Sequence, residues 1–127
     1  TNKNKLEKIF QKYKIFAIYH LAGLSKLTES FKKKALYQKN NIQGTKNIIE
    51  LTKKYKIRYL IFSSSASVYG NKRSFPINES SSLRPISYYG KTKLISERLN
   101  VFVHEFAILT ALVWGTASCP ESVRVCH

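Results

Sequence analysis

A tyrosine and a lysine stand four residues apart, at Tyr89 and Lys93 in YYGKTK, and three serines, Ser63, Ser64 and Ser65, follow an apolar run in FSSSASVYG. A phenol and an ammonium at i and i+4 are neighbours on one helix face. A nearby positive charge favours a phenolate, and a phenolate formed near neutral pH is a general base for the proton of an alcohol. YxxxK by itself usually marks a surface Tyr beside a surface Lys, and serines at a strand end usually just end the strand. The combination carries chemistry only if the fold turns the helix and the serine-tipped strand toward one crevice.

The elements needed for that arrangement are legible. Residues 15–21, IFAIYHL, and 58–63, RYLIFS, are compact apolar runs and predict two buried strands. Residues 27–56 between them are helical in tendency, with Gly44 as an interruption that allows close backbone approach. Strand, helix, strand is a βαβ unit with parallel strands and a right-handed crossover. Ligands of such sheets bind beyond the carboxyl ends of the strands, where Ala22 and Gly23 follow the first strand and the serines follow the second. An amphipathic helix precedes the unit, with Leu6, Ile9, Phe10 and Tyr13 at helical spacing.

A loop rich in Ser, Asn and Pro covers residues 70–87, a length that in a compact domain points to function. Ser87 is placed to cap a helix from about 88 to 105. Ile95, Leu99, Phe102 and Phe106 give that helix an apolar stripe, and Tyr88 falls on the same arc and is expected in the core. Tyr89 and Lys93 then lie roughly 120–160° from the stripe centre, at about 100° per residue. After residue 106 the composition changes. AILTALVW predicts a third strand, and GTASCPESVRVCH an irregular tail.

The formal net charge is +15 and the chain has no Asp. The lysines are spread along helices and loops, KKK at 32–34 is the one run, and aromatics do not interleave with them. A solvated basic surface, drawn from a composition rich in Lys, Asn, Ile and Tyr, is therefore expected rather than a nucleic-acid partner. No run of eighteen apolar residues and no signal-peptide core occur, so no membrane span is expected. Cys119 and Cys126 have neither metal-site spacing nor the pattern of a disulfide framework, which fits a reducing, cytoplasmic location and no metal.

YHLAGLSKLTES at 19–30, NNIQGT at 40–45, FSSSASVYG at 62–70 and YYGKTK at 88–93 together resemble, in order and interval, the UDP-glucose 4-epimerases of the extended short-chain dehydrogenase/reductase family. The resemblance covers about residues 5–100. It implies an α/β fold: a partial Rossmann-like parallel sheet with flanking helices in three αβα layers. The glycine-rich turn and the C-terminal substrate domain of that fold find no counterpart in this sequence. Residues 1–106 would be a partial NAD-binding domain and 107–127 a divergent tail. Tyr89 would take the proton of the sugar C4 hydroxyl. Ser65 would hydrogen-bond the C4 oxygen, and Lys93 would hold the nicotinamide ribose and favour the phenolate. NAD would accept the C4 hydride and return it to the other face of the 4-keto sugar, interconverting UDP-glucose and UDP-galactose. Leu21, Ala22 and Gly23 would pass close to the cofactor, Asn40 would bind it together with Tyr89 and Lys93, and Asn41 would orient backbone nearby. A homodimer is expected of the complete enzyme.

The sequence departs from that pattern in places. The family's Lys two residues after the glycine is Ser25, with Lys26 beside it. Without the glycine-rich turn, whose helix N-terminus holds a pyrophosphate, the isolated chain is expected to show little or no turnover. Another epimerase or a dehydratase of the same family, or a non-catalytic remnant with a basic surface, are the competing expectations. A dehydratase would need an acidic pair where Ala66 and Ser67 stand.

Overall fold

The computed structural model describes residues 2–72, 76–78, 80–100, 106–109 and 123–126, the last two segments by backbone alone. Helix α1 (Lys3–Lys12) leads into strand β1 (Ala17–His20). Helices α2 (Leu27–Lys32) and α3 (Lys34–Tyr37), a π-helical segment (Gln38–Gln43) and helix α4 (Gly44–Lys54) lead to strand β2 (Tyr59–Ser63). A 3-10 turn (Ala66–Val68), helix α5 (Tyr88–Asn100) and strands β3 (Phe106–Leu109) and β4 (Val123–Cys126) complete the order.

The strands form one sheet in the order β1-β2-β3-β4. β1 and β2 are parallel, with Ala17 opposite Tyr59 and His20 opposite Phe62, and β2 and β3 are parallel, with Leu60 opposite Phe106. This is the α/β parallel architecture the two apolar runs predict. Two expectations are corrected at the C-terminal end. Phe106 lies in β3, not on the stripe of a preceding helix, and Val123–Cys126 pairs antiparallel with β3 where an irregular tail was expected. Phe102 and Cys119 lie outside the described residues.

β2 is the spine of the sheet. Leu60 and Phe62 point to one face and are buried, while Tyr59, Ile61 and Ser63 alternate to the other and are half-buried. Ile49 of α4 buries against Leu60 and Phe62, and Ile18, Ile48 and Leu99 pack around them. A second cluster, Val68, Tyr69 and Leu94 with Ile77 and Leu83, fixes α5 over the turn that follows β2. Gly70 closes that turn with φ +68°, and a Cβ there would stand 2.0 Å from the Arg84 carbonyl oxygen. A side chain has room neither sterically nor in backbone angle.

The stretch 27–56 is not one helix. It breaks after Lys32 and passes through the π segment before α4 begins at Gly44. A π segment shifts the hydrogen-bond ladder of the helix locally, and the Asn41 carbonyl, which still accepts from the Gly44 N–H, takes further partners. Here the Asn41 carbonyl accepts from the Thr45 hydroxyl at 2.6 Å and the Ser96 hydroxyl at 3.3 Å. The first locks α4 to the segment and the second ties α5 to it. Asn41 thus joins three elements at the level of the strand ends.

Candidate active site

Ser87 caps α5 as expected. Its hydroxyl accepts from the Gly90 N–H at 2.9 Å, three residues on. The face this helix buries is not the apolar stripe. Ile95 is 42% exposed and Tyr88 is half-buried, while Tyr89, Thr92, Lys93, Leu94, Ser96, Glu97 and Asn100 are buried. The correction has a physical cause. α5 packs on the 3-10 turn, α2 and the π segment through hydroxyls, an amide and two charged groups, several of which bond the facing elements. A polar face of that kind leaves no hydrophobic period to read.

Tyr89 and Lys93 therefore turn inward together, 8% and 5% exposed. The Lys93 Nζ donates to the Ser63 carbonyl at 2.8 Å, lies 4.8 Å from the centre of the Phe62 ring and 5.9 Å from the centre of the Tyr89 ring. It thus sits at the carboxyl end of β2. The end of β1 meets it there: a Cβ on Gly23 would stand 3.7 Å from the same Nζ and 3.3 Å from the Asn41 Oδ1. An added Cβ would thus be in ordinary contact with the ammonium and only slightly tight against the Asn41 amide. Burial pushes the Lys93 pKa down to about 8, against the opposing pull of the Glu97 carboxylate.

Ser65 stands half-buried at the head of the 3-10 turn. Its Oγ accepts from the Ser67 N–H at 3.3 Å and from the Ser67 hydroxyl at 2.9 Å. The first turn of α5 lies against this turn, since a Cβ on Gly90 would be 2.6 Å from the Ser67 carbonyl oxygen. The serine-bearing turn and the Tyr89-bearing helix turn are therefore in direct packing contact. Ala22, Gly23 and Asn40, with Leu6, His20, Leu24, Gly44 and Ile48, line one cleft of about 360 Å³. Leu21 does not line it; its side chain is 63% exposed. Asn40 donates to the Leu36 carbonyl at 2.9 Å from the cleft wall. Lys26, beside Ser25, faces solvent and pairs with Glu29 at 3.5 Å.

The residues that hold this geometry were mostly not singled out by spacing. Asn41, 3% exposed, clamps Leu24 through both amide atoms: its Oδ1 accepts from the Leu24 N–H at 2.8 Å and its Nδ2 donates to the Leu24 carbonyl at 3.0 Å. The same Nδ2 reaches the Thr92 Oγ1 at 3.0 Å. Asn41 therefore fixes the loop after β1 to α5, which is the backbone-orienting part the family resemblance implies for it. His20 is 2.9 Å from the Thr45 Oγ1 through Nε2. Thr45 spends its proton on the Asn41 carbonyl, so His20 donates and is the neutral Nε2–H tautomer. The YHLAG and NNIQGT segments contain these residues, but only the fold shows that they bond each other.

Burial and the neighbouring Lys93 charge push the His20 pKa from 6.5 down to about 4. The unfolded chain then binds the proton first as pH falls. Stability contributed above about pH 6.5 is lost progressively toward pH 4, roughly 3 kcal/mol in all. Urea-unfolding midpoints across that window should fall steeply for the natural chain and much less for His20→Gln. Equal slopes would show that His20 is not the titrating group. His104 and His127 lie outside the described residues.

Comparison with known proteins places this arrangement. The sequence model of the family described as GDP-mannose 4,6 dehydratase matches residues 1–119. The chain belongs to that family, the NAD-dependent epimerases and dehydratases of sugar nucleotides. Within it, the likeness to UDP-glucose 4-epimerases is borne out. UDP-glucose 4-epimerase 2 of Oryza sativa subsp. japonica is 43% identical over 96 residues, covering 76% of this chain and 24% of the relative. The crystal structure of the Brucella ovis UDP-glucose 4-epimerase in complex with NAD matches with a TM-score of 0.81 at 30% identity, over 85% of this chain and 35% of that one. The Bifidobacterium longum enzyme in complex with NAD+ and UDP matches with a TM-score of 0.80 at 31% identity, over 86% and 35%. The chain thus spans about a quarter to a third of the length of these relatives. The family match also runs past residue 100, where the resemblance carried by the quoted motifs ends.

Proposed function

We propose that this chain carries the catalytic strand ends and helix of an NAD-dependent UDP-glucose 4-epimerase, interconverting UDP-glucose and UDP-galactose. The observation that carries the proposal is the buried Lys93 ammonium at the ends of β1 and β2, between Gly23, the Ser63 carbonyl and the Tyr89 ring. An ammonium held in such a place has few partners of its own and suits a pair of ribose hydroxyls. The cleft beside it fits a nucleotide cofactor: Gly23 presents bare backbone and Ala22 a methyl on one wall, Asn40 stands on another, and Ile48 and Leu6 give an apolar surface. Leu21 contributes backbone only, given its exposed side chain.

When bound, NAD supplies a reversible hydride acceptor. The chain's own residues do the rest. Tyr89 takes the proton of the C4 hydroxyl and gives it back, Lys93 places positive charge beside it, and Ser65 hydrogen-bonds the C4 oxygen from the turn packed on α5. Those bonds strengthen as the C4 oxygen gains negative charge, which is where they lower the barrier. A UDP-sugar substrate and a homodimer of the complete enzyme go with this assignment. The absence of an acidic pair at Ala66 and Ser67 favours it over a dehydratase, since Ser67 here bonds Ser65 instead.

The test is a chimera in which residues 5–100 replace the matching segment of the rice relative. Conversion of UDP-galactose to UDP-glucose by the chimera is expected. A chimera that folds and binds NAD but leaves UDP-galactose unchanged would refute the assignment.

A further inference from the structure

We propose that Glu97 is a positioning residue of this site: its buried carboxylate, held by the Ser64 hydroxyl one residue before Ser65, lies one helical turn beyond Lys93 and keeps that ammonium charged. The role rests on the epimerase assignment for its purpose, though not for its test. Tyr89, Lys93 and Glu97 follow each other at intervals of four along the inward face of α5, and all three are less than a tenth exposed. A buried carboxylate is costly unless paired and hydrogen-bonded. Ser64, 5% exposed, donates its hydroxyl to the Glu97 Oε1. That bond also joins the inner end of α5 to the backbone that carries Ser65.

Among the described residues the titratable neighbours of Lys93 are few. β1 brings His20, which is neutral, and α5 brings Tyr89 and Glu97. β2 brings the Ser63 carbonyl and the Phe62 ring. On α2, which packs on α5, Glu29 is occupied by Lys26 and Lys33, and Lys32 is exposed, as is Lys34 on α3. In the π segment Lys39 points to the surface and Asn41 is uncharged. On α4, Glu50 pairs with Lys3 at the surface. Among the described residues Glu97 is thus the negative group that offsets the burial of Lys93. Lys93 is useful to Tyr89 and to ribose hydroxyls only while it keeps its proton.

The test needs neither cofactor nor turnover, so its failure is separable from failure of the epimerase assignment. The whole chain carrying 13C-labelled lysine is titrated by NMR, with the Lys93 Cε signal assigned from Lys93→Arg. In Glu97→Gln, which keeps the shape and a partner for Ser64, the Lys93 midpoint should fall by about one pH unit or more below that of the natural chain. An unchanged midpoint in folded Glu97→Gln would overturn the proposal and leave Glu97 as packing only. Should circular dichroism show that variant unfolded, the natural chain decides. Its 13C-labelled Glu97 carboxyl carbon should shift across the Lys93 titration, and a flat trace there would overturn the proposal equally.

Discussion

Replacing Tyr89 by Phe in the chimera is expected to cut turnover of UDP-galactose by about 10²–10⁴-fold, the usual contribution of a positioned proton-transfer group. The substitution removes one oxygen and leaves the ring. The contacts that seat the helix, the Ser87 cap and the packing of Gly90 on the Ser67 carbonyl, do not involve that oxygen. The loss should accordingly fall on kcat, with KM and the melting temperature little moved, which is the signature of an interaction made mainly in the transition state. A Tyr that merely fills space would give the opposite pattern: unchanged kcat and a shift in stability. Tyr89 is buried on the same helix as the buried Thr92, Lys93, Ser96 and Glu97, with the Lys93 ammonium 5.9 Å from its ring centre.

The second large effect is expected at Gly90. Putting Ala into a helix in place of Gly ordinarily gains about 1 kcal/mol. At Gly90 the added Cβ would stand 2.6 Å from the Ser67 carbonyl oxygen and 3.0 Å from the Pro85 Cβ. The first is a backbone atom whose turn is held by two bonds to Ser65, so it cannot swing aside. Overpacking of this kind costs about 1–3 kcal/mol, and contact at this separation belongs at the upper end. The cost wins over the propensity gain. Gly90→Ala should melt several degrees lower than the natural chain, since about 1 kcal/mol is worth roughly 2–8 °C in domains of about 60–250 residues. In the chimera it should also lose turnover, because relieving the clash moves Ser65 away from Tyr89. A variant that melts higher would mean that the helix and the turn are not in contact.

How much of this was legible in the sequence depends on what each element buries. β2 buries Leu60 and Phe62, so RYLIFS announces it. IFAIYHL announces β1 as an apolar run, but the buried strand expected there buries only His20 fully and leaves Phe16, Tyr19 and Leu21 exposed. The Ser87 cap is a local side chain to backbone bond and was equally visible. The inward face of α5 was not, because hydrophobic periodicity finds a helix's buried side only when that side is apolar. Ile95 looked like core and is exposed, while Thr92, Ser96 and Asn100, which no sequence pattern singled out, are buried. The π segment was hidden for a related reason. Gln38–Gln43 has ordinary helical composition, and only the bonds of Asn41 to Leu24 and Thr92 explain the extra residue in the turn. Strand β4 follows from pairing with β3 across many residues, which no local pattern carries. At the site, Tyr89, Lys93 and Gly23 were found from spacing and from family likeness. Glu97 and His20 needed coordinates, since their partners lie 33 and 25 residues away.

Everything turns on whether the hydroxyl heading the turn after β2 and the phenol of α5 act on the same oxygen. A double-mutant cycle of Ser65→Ala and Tyr89→Phe in the chimera measures that most directly. Groups that serve one proton are strongly non-additive, so the double variant should be little slower than Tyr89→Phe alone. Losses that simply multiply, or a Ser65→Ala variant as fast as its parent, would contradict a shared site.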